Sequence, residues 1–227
     1  DLGSVELDSM GKASTLSDFI SWGKENYPAK KYMLVLWDHG YVEPYGNLEA
    51  DDIFYKDADG NVIYDMDAPD DVYLENDCID LDELSQALKD GGTHFETIVF
   101  NTCLSSSLEI AKSVAPYANY MVSSEESIPC AIGIPEEYIA FLNTNPDCTG
   151  KDVGEFICKM YSSALLEVID IIGEGSENAG NFTKATMACI DLSAVDDMWN
   201  CYTDVAKHLY YSIYDMDTYT GFLNAST

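Results

Sequence analysis

Short, nearly unbroken apolar runs alternate along this chain with longer stretches in which apolar residues recur every three or four positions. The run Tyr32-Met33-Leu34-Val35-Leu36-Trp37 has no polar face, and a run this short and apolar predicts a buried strand of a parallel sheet. Thr97-Ile98-Val99-Phe100 and Tyr120-Met121-Val122-Ser123 repeat the pattern, and Ala185 to Ile190 adds a fourth strand. The first helical stretch runs from about Thr15 to Asn26, with Thr15 as its N-cap, Leu16, Phe19 and Ile20 as its apolar stripe and Pro28 as its stop. Asp80 and Glu83 have the spacing of a capping box, Leu81, Leu84 and Leu88 face inward behind them, and Gly91-Gly92 ends that helix. Leu108, Ala111, Val114 and Ala115 define a helix after Cys103. Further helices are expected near Glu136 to Leu142, from about Val153 to Ile172 and after Asp191.

Strands alternating with helices predict an α/β fold, a mainly parallel sheet covered on both faces. One stretch, about 41–77, breaks the alternation. It is acidic and irregular, and in it Ile53-Phe54-Tyr55 and Val62-Ile63-Tyr64 flank Asp57-Ala58-Asp59-Gly60. Asp-Gly between two β-prone runs predicts a hairpin, so this stretch is read as an acidic β-hairpin insertion. With no internal repeat and no low-complexity linker, residues 1–227 are read as a single domain.

Composition adds a charge and a cysteine count to this picture. An apolar content of 47% can supply a core, so the acidity is not that of a disordered chain. Against 11 basic residues stand 41 acidic ones, a formal charge of −30. Such a surface repels nucleic acid and anionic membranes and attracts cations and cationic partners. No stretch reaches the ~20 apolar residues of a membrane span. The seven cysteines, Cys78, Cys103, Cys130, Cys148, Cys158, Cys189 and Cys201, are odd in number and contain no C-x-x-C pair, so neither a zinc site nor a disulfide framework is expected. Asp57 and Asp59 match only the start of a calcium loop, whose closing Glu is missing. No nucleotide or metalloprotease motif occurs. No cofactor is therefore required; Ca²⁺ is compatible with the acidic surface.

In open α/β sheets, functional groups collect beyond the carboxyl ends of the strands. Three predicted strands end in reactive or polar residues: Asp38-His39-Gly40, Asn101-Thr102-Cys103 and Ser123-Ser124-Glu125-Glu126. His39 as general base and Cys103 as nucleophile would form the minimal apparatus for acyl transfer. The imidazole and the N-terminus of the helix after Cys103 would both favour a thiolate. Backbone N–H groups of Gly40 and Cys103 could form an oxyanion hole, and glycine lets a substrate approach the backbone closely. His94, in a loop after Gly91-Gly92, and His208, within the last helix, follow no strand.

A hydrophobic strand ending in His-Gly, followed by a second strand ending two residues before Cys, resembles the caspase-like superfamily of cysteine peptidases (clan CD). The finer resemblance is to its clostripain-like family. It rests on Asn26-Tyr27-Pro28-Ala29-Lys30-Lys31-Tyr32, Trp37-Asp38-His39-Gly40, Asp80 to Leu88, Phe100 to Ser105 with Cys103, and Ser123-Ser124-Glu125-Glu126, and covers about residues 1–200. The resemblance implies a caspase-like sandwich and a secreted or cell-surface bacterial endopeptidase acting on peptide or protein substrates. It implies a His39–Cys103 dyad, substrate-binding positions at Asn101, Ser123, Ser124 and Glu125, cleavage after basic residues, and often an effect of Ca²⁺. It also implies self-cleavage between His and Cys, for which Lys56 is the only basic residue between Tyr41 and Cys78.

Two departures stand beside it. The family usually has Asp two residues before the nucleophile, where it pairs with a basic P1 side chain; here Asn101 is neutral. The family also has a strand and helix upstream of where this sequence starts, so a truncation on the N-terminal side is expected. Two other readings stay open from the residues alone. One is a catalytically inactive relative whose acidic surface binds cationic peptides or calcium; the other is a Cys-dependent transferase or hydrolase of small acyl compounds. Oligomeric state is not encoded in any pattern found.

Overall fold

The computed structural model describes residues 10–37, 40, 79–129, 135–173, 183–212 and 221, together with the backbones of 54–56 and 62–64. The elements are α1 (Ala13–Asn26), β1 (Met33–Trp37), β2 (Phe54–Lys56), β3 (Val62–Tyr64), α2 (Leu81–Gly91), β4 (Phe95–Asn101), α3 (Leu108–Val114), β5 (Ala118–Ser123), α4 (Pro135–Thr144), α5 (Gly150–Ile172), β6 (Ala188–Asp191) and α6 (Val195–Ser212). Strand–helix alternation is as expected, and β2 and β3 pair antiparallel with Lys56 opposite Val62, so the hairpin of the acidic insertion is present. The rest of 41–77, including Asp57 and Asp59, lies outside the described residues. Contacts divide the chain into two compact units, 1–192 and 193–227. The sheet lies wholly in the first; α6 belongs to the second.

The main sheet has the order β1-β4-β5-β6, with the first three strands parallel and β6 antiparallel to β5. β4 is central and buried along almost its whole length. Its side chains alternate between faces. Val99 joins Val122, Tyr138, Val153 and Ile157 in one core cluster, which brings α4 and α5 onto that face. Phe100, with Leu34 and Leu36 of β1, shares a mainly apolar groove of about 300 Å³ with Leu16 and Phe19 of α1 and Leu84 of α2. The sheet is thus covered on both faces. β1 departs from the expected buried strand: among its residues only Leu34 is buried, and Trp37 is 56% exposed. It is an edge strand among the described residues, and an apolar run cannot distinguish an edge strand from a central one.

Local chemistry explains most boundaries. Asp80 and Glu83 form the expected capping box, and Gly92 ends α2 in the left-handed conformation at φ 61°. Thr15 is not the cap of α1: Lys12 occupies that position with no side-chain cap, and the helix starts at Ala13. The amide of Thr15 instead donates to the Lys12 carbonyl. A second capping box, Thr149 with Asp152, starts α5 three residues earlier than its apolar stripe indicates.

α5 sets the geometry of the site. It can lie close to the sheet because two of its positions are glycines. A Cβ at Gly150 would stand 2.5 Å from the Glu96 carbonyl oxygen and 2.6 Å from the Tyr120 ring. One at Gly154 would collide with the Cys189 sulfur and stand 2.9 Å from its Cβ. From Gly150 beside Thr97, α5 runs past Val99 and Val122 at Val153 and Ile157. At about 6 Å per four residues, the next turn carries Tyr161 beyond the strand ends.

Candidate active site

The carboxyl ends of β1, β4 and β5 lie side by side. Trp37 pairs with Asn101, and His39 and Cys103 each follow two residues later in the sequence. His39 itself lies outside the described residues; Gly40, the next residue, lies within them and is buried. A Cβ on Gly40 would stand 2.8 Å from the Thr102 Cβ and 2.9 Å from the Cys103 nitrogen, and would collide with the Cys103 carbonyl oxygen. Only glycine fits there, and the backbone of the His-Gly block therefore packs directly against the backbone of the x-x-Cys block.

Cys103 is half-buried. Its sulfur accepts the Ile128 N–H at 3.2 Å and donates to the Ile128 carbonyl at 3.6 Å. The same loop holds the backbone after Cys103: Leu104 N–H donates to the Glu126 carbonyl at 3.2 Å and Ser106 N–H to the Ser124 carbonyl at 2.8 Å. Leu104 has φ 53°, a conformation that no other described non-glycine residue with a side chain adopts. Such a residue carries strain of roughly 1–2 kcal/mol, which its neighbours must over-determine. The two loops do so by pairing backbone to backbone. The N-terminus of the following helix, expected at the sulfur from the sequence, is not there; α3 instead begins at Leu108, capped by Ser107, because residues 102–106 are first used in this loop pairing.

The polar residues at the end of β5 act inside this wall. Ser123 and Ser124 are fully buried. Ser124 donates to the Glu126 carbonyl at 2.8 Å and accepts the Glu126 N–H at 3.1 Å. With its one proton so committed, it accepts from Thr186 at 3.1 Å, and Thr186 in turn accepts the Glu125 N–H at 3.2 Å. Glu125 and Glu126 are exposed. Asn101 is buried at 5% exposure at the end of β4. Lys56 lies on β2, with its side chain outside the described residues. His94, which follows no strand, bonds Asn119 at 2.9 Å through its Nε2.

Sequence patterns did not single out Ile128, Ser105, Thr186 or Tyr161. Ser105 is fully buried and donates to the Thr102 carbonyl at 2.9 Å, closing the turn around Cys103. Ile128, Tyr161 and Leu165 form a small cluster against which Cys103 packs. Nothing local marks Ile128, since its backbone does the bonding, and Tyr161 reads only as one more apolar position of a long helix. Among the described residues, three buried side-chain hydroxyls have no partner: Thr102, Ser123 and Tyr161. Thr102 and Ser123 stand at strand ends and Tyr161 in the cluster that Cys103 touches, so all three fall at this end of the sheet. No group of three or more His, Cys, Asp or Glu among the described residues is arranged to hold a metal ion.

The sequence profile of the clostripain family matches residues 3–223. The chain belongs to the clostripain family. Two solved structures from Bacteroides thetaiotaomicron share its fold. One, a secreted C11 cysteine protease in complex with an irreversible peptide inhibitor, is 20% identical at TM-score 0.58, over 86% of this chain and 49% of that one. The other, a secreted C11 cysteine protease called iotapain, is 18% identical at TM-score 0.57, over 88% of this chain and 50% of that one. An inactive zymogen C11 protease from Parabacteroides distasonis is 20% identical at TM-score 0.53, over 87% and 44%. No curated protein matches the chain. The clostripain-family chain described here spans about half the length of these structural relatives. Its fold is the expected α/β, caspase-like sandwich.

Proposed function

We propose that this chain carries the catalytic centre of a cysteine endopeptidase. The observation that carries the reading is the packing of Gly40 against Thr102 and Cys103, which brings the residue after His39 onto the backbone of the nucleophile. His39 takes the thiol proton of Cys103, and the thiolate attacks the scissile carbonyl. The N–H groups of Gly40 and Cys103 receive the developing oxyanion. His39 returns its proton to the leaving amine, giving a thioester acyl-enzyme that water then hydrolyses to regenerate the thiol. Peptide or protein is the substrate, in keeping with the peptide inhibitor bound by one structural relative. Secretion is proposed on the same footing: two relatives are described as secreted, and no helix among the described residues is long and apolar enough to cross a membrane.

The P1 preference is proposed not to be strictly basic. Asn101 can hydrogen-bond a P1 side chain but supplies no charge to hold Lys or Arg.

The reaction is tested through Cys103. Cys103→Ala should abolish hydrolysis of an unstructured peptide, and iodoacetamide should label Cys103 faster than Cys201, an exposed thiol of the same chain. Equal labelling rates, with hydrolysis surviving Cys103→Ala, would rule the reading out.

A further inference from the structure

Tyr161 is 1% exposed, and its hydroxyl has no hydrogen-bond partner among the described residues. Leaving such a group unpaired costs about 1–3 kcal/mol, and phenylalanine would fill the same space without that cost. The helix carries it past the end of β4 into the cluster with Ile128 and Leu165, against which Cys103 packs. Among the described residues the Cys103 sulfur has two partners, both on Ile128: it accepts the N–H and donates its own proton to the carbonyl. Loss of the thiol proton removes the second bond and leaves an anion that, among the described residues, faces the Ile128 N–H with a carbonyl oxygen turned toward it.

We propose that Tyr161 is a positioning residue whose hydroxyl donates to the Cys103 sulfur once that sulfur is a thiolate, replacing the bond lost to the Ile128 carbonyl. The proposal rests on the reading of Cys103 as the nucleophile. No bond is made or broken beyond the hydrogen bond itself: the proton stays on the phenol oxygen. Burial first, and the neighbouring Cys103 second, push the Tyr161 phenol above its ordinary range, so it remains a donor throughout the pH range of a thiol peptidase. Among the described residues, the titratable groups acting on Tyr161 are Cys103 and, on α4, Tyr138. Glu125 and Glu126 stand on the loop that carries Ile128, and His39 precedes Gly40. Any influence of these groups on Cys103 is the same with or without the Tyr161 hydroxyl, so it cancels when wild type and variant are compared.

The experiment is the pH dependence of iodoacetamide labelling at Cys103, resolved by mass spectrometry, in wild type, Tyr161→Phe and Leu165→Met. Loss of a donor to an anion should raise the apparent pKa of labelling by about one unit in Tyr161→Phe, a roughly tenfold slower reaction on the acid side. kcat on a peptide substrate should fall by about the same factor with KM little changed, and the melting temperature should hold or rise. Leu165→Met, a packing change one turn further on, should leave the labelling profile in place. Superimposable profiles for wild type and Tyr161→Phe overturn the proposal while leaving Cys103 as the nucleophile. An equal shift in Leu165→Met overturns it in favour of packing, and a large drop in melting temperature in Tyr161→Phe overturns its premise that the hydroxyl is unpartnered. Labelling of wild-type Cys103 no faster than Cys201 removes both this proposal and the reading beneath it.

Discussion

Gly40 and Asn101 show how much a single position can decide. Gly40 has no side chain, yet its missing Cβ is what lets two chain segments meet at Cys103. Gly40→Ala should therefore lower kcat/KM by about 100-fold or more, because displacing the backbone moves both proposed oxyanion donors; steady-state kinetics with circular dichroism as the folding control would check this. A variant of unchanged activity would mean that the Gly40 N–H does not serve the reaction. Asn101 bears on specificity. Asn101→Asp should raise the ratio of kcat/KM for Arg over Gln at P1 by roughly tenfold, the difference between a charged and a neutral hydrogen bond. Matched peptide substrates give that ratio, and an unchanged value would place the P1 side chain elsewhere. Legibility at this scale was uneven. Cys103 and Gly40 stand out because reactive or conformationally special residues interrupt apolar runs. Tyr161 and Ile128 do not, since one looks like core and the other acts through its backbone.

At the scale of elements, α5 determines what lies beneath the site. Glycines at 150 and 154 let it press against β4, β5 and β6, and that closeness brings Tyr161 to the cluster beside Cys103. Gly154→Ala sets two effects against each other. Alanine in a helix interior is favoured by about 1 kcal/mol, whereas its Cβ would overlap the Cys189 sulfur, and overpacking typically costs about 1–3 kcal/mol. Net destabilisation in a urea titration is expected, and it should shrink in a Cys189→Ala background without vanishing, because the Cys189 Cβ remains 2.9 Å away. Stabilisation by Gly154→Ala alone would mean that α5 stands off the sheet. Burial also pushes the Cys189 thiol up to about 11, and the Cys158 thiol is raised from its ordinary value by the same cause, as suits cysteines that act as packing residues. Element types were readable from apolar spacing alone, but starts were not. Lys12 displaced Thr15 at α1, and the Thr149 capping box extended α5 backward, because a cap is chosen by backbone geometry as much as by residue type.

For the whole molecule, the formal charge of −30 is the dominant property. Two exposed carboxylates, Glu125 and Glu126, stand on the loop that holds Cys103. Such a field draws cationic peptides and is screened within about 10 Å at 0.1 M salt. For a peptide flanked by lysines, kcat/KM should fall several-fold as ionic strength rises from about 0.01 to 0.15 M, while a neutral peptide should be nearly insensitive. Parallel salt profiles for the two would show that the acidic surface serves solubility and not substrate capture.

The sequence by itself determined the class of fold and the candidate nucleophile. Strand and helix periods are local, and a reactive residue at the end of an apolar run stands out without any partner in view. Tertiary structure alone decided what Cys103 touches. The sulfur of Cys103 bonds to Ile128, 25 positions away in the chain, and shares a cluster with Tyr161 on another element. Those neighbours are set by strand register and by how closely α5 approaches the sheet, and neither leaves a periodic signal in the chain. The edge position of β1 among the described residues was decided in the same way, because an apolar run records its need for burial and not the number of strands beside it.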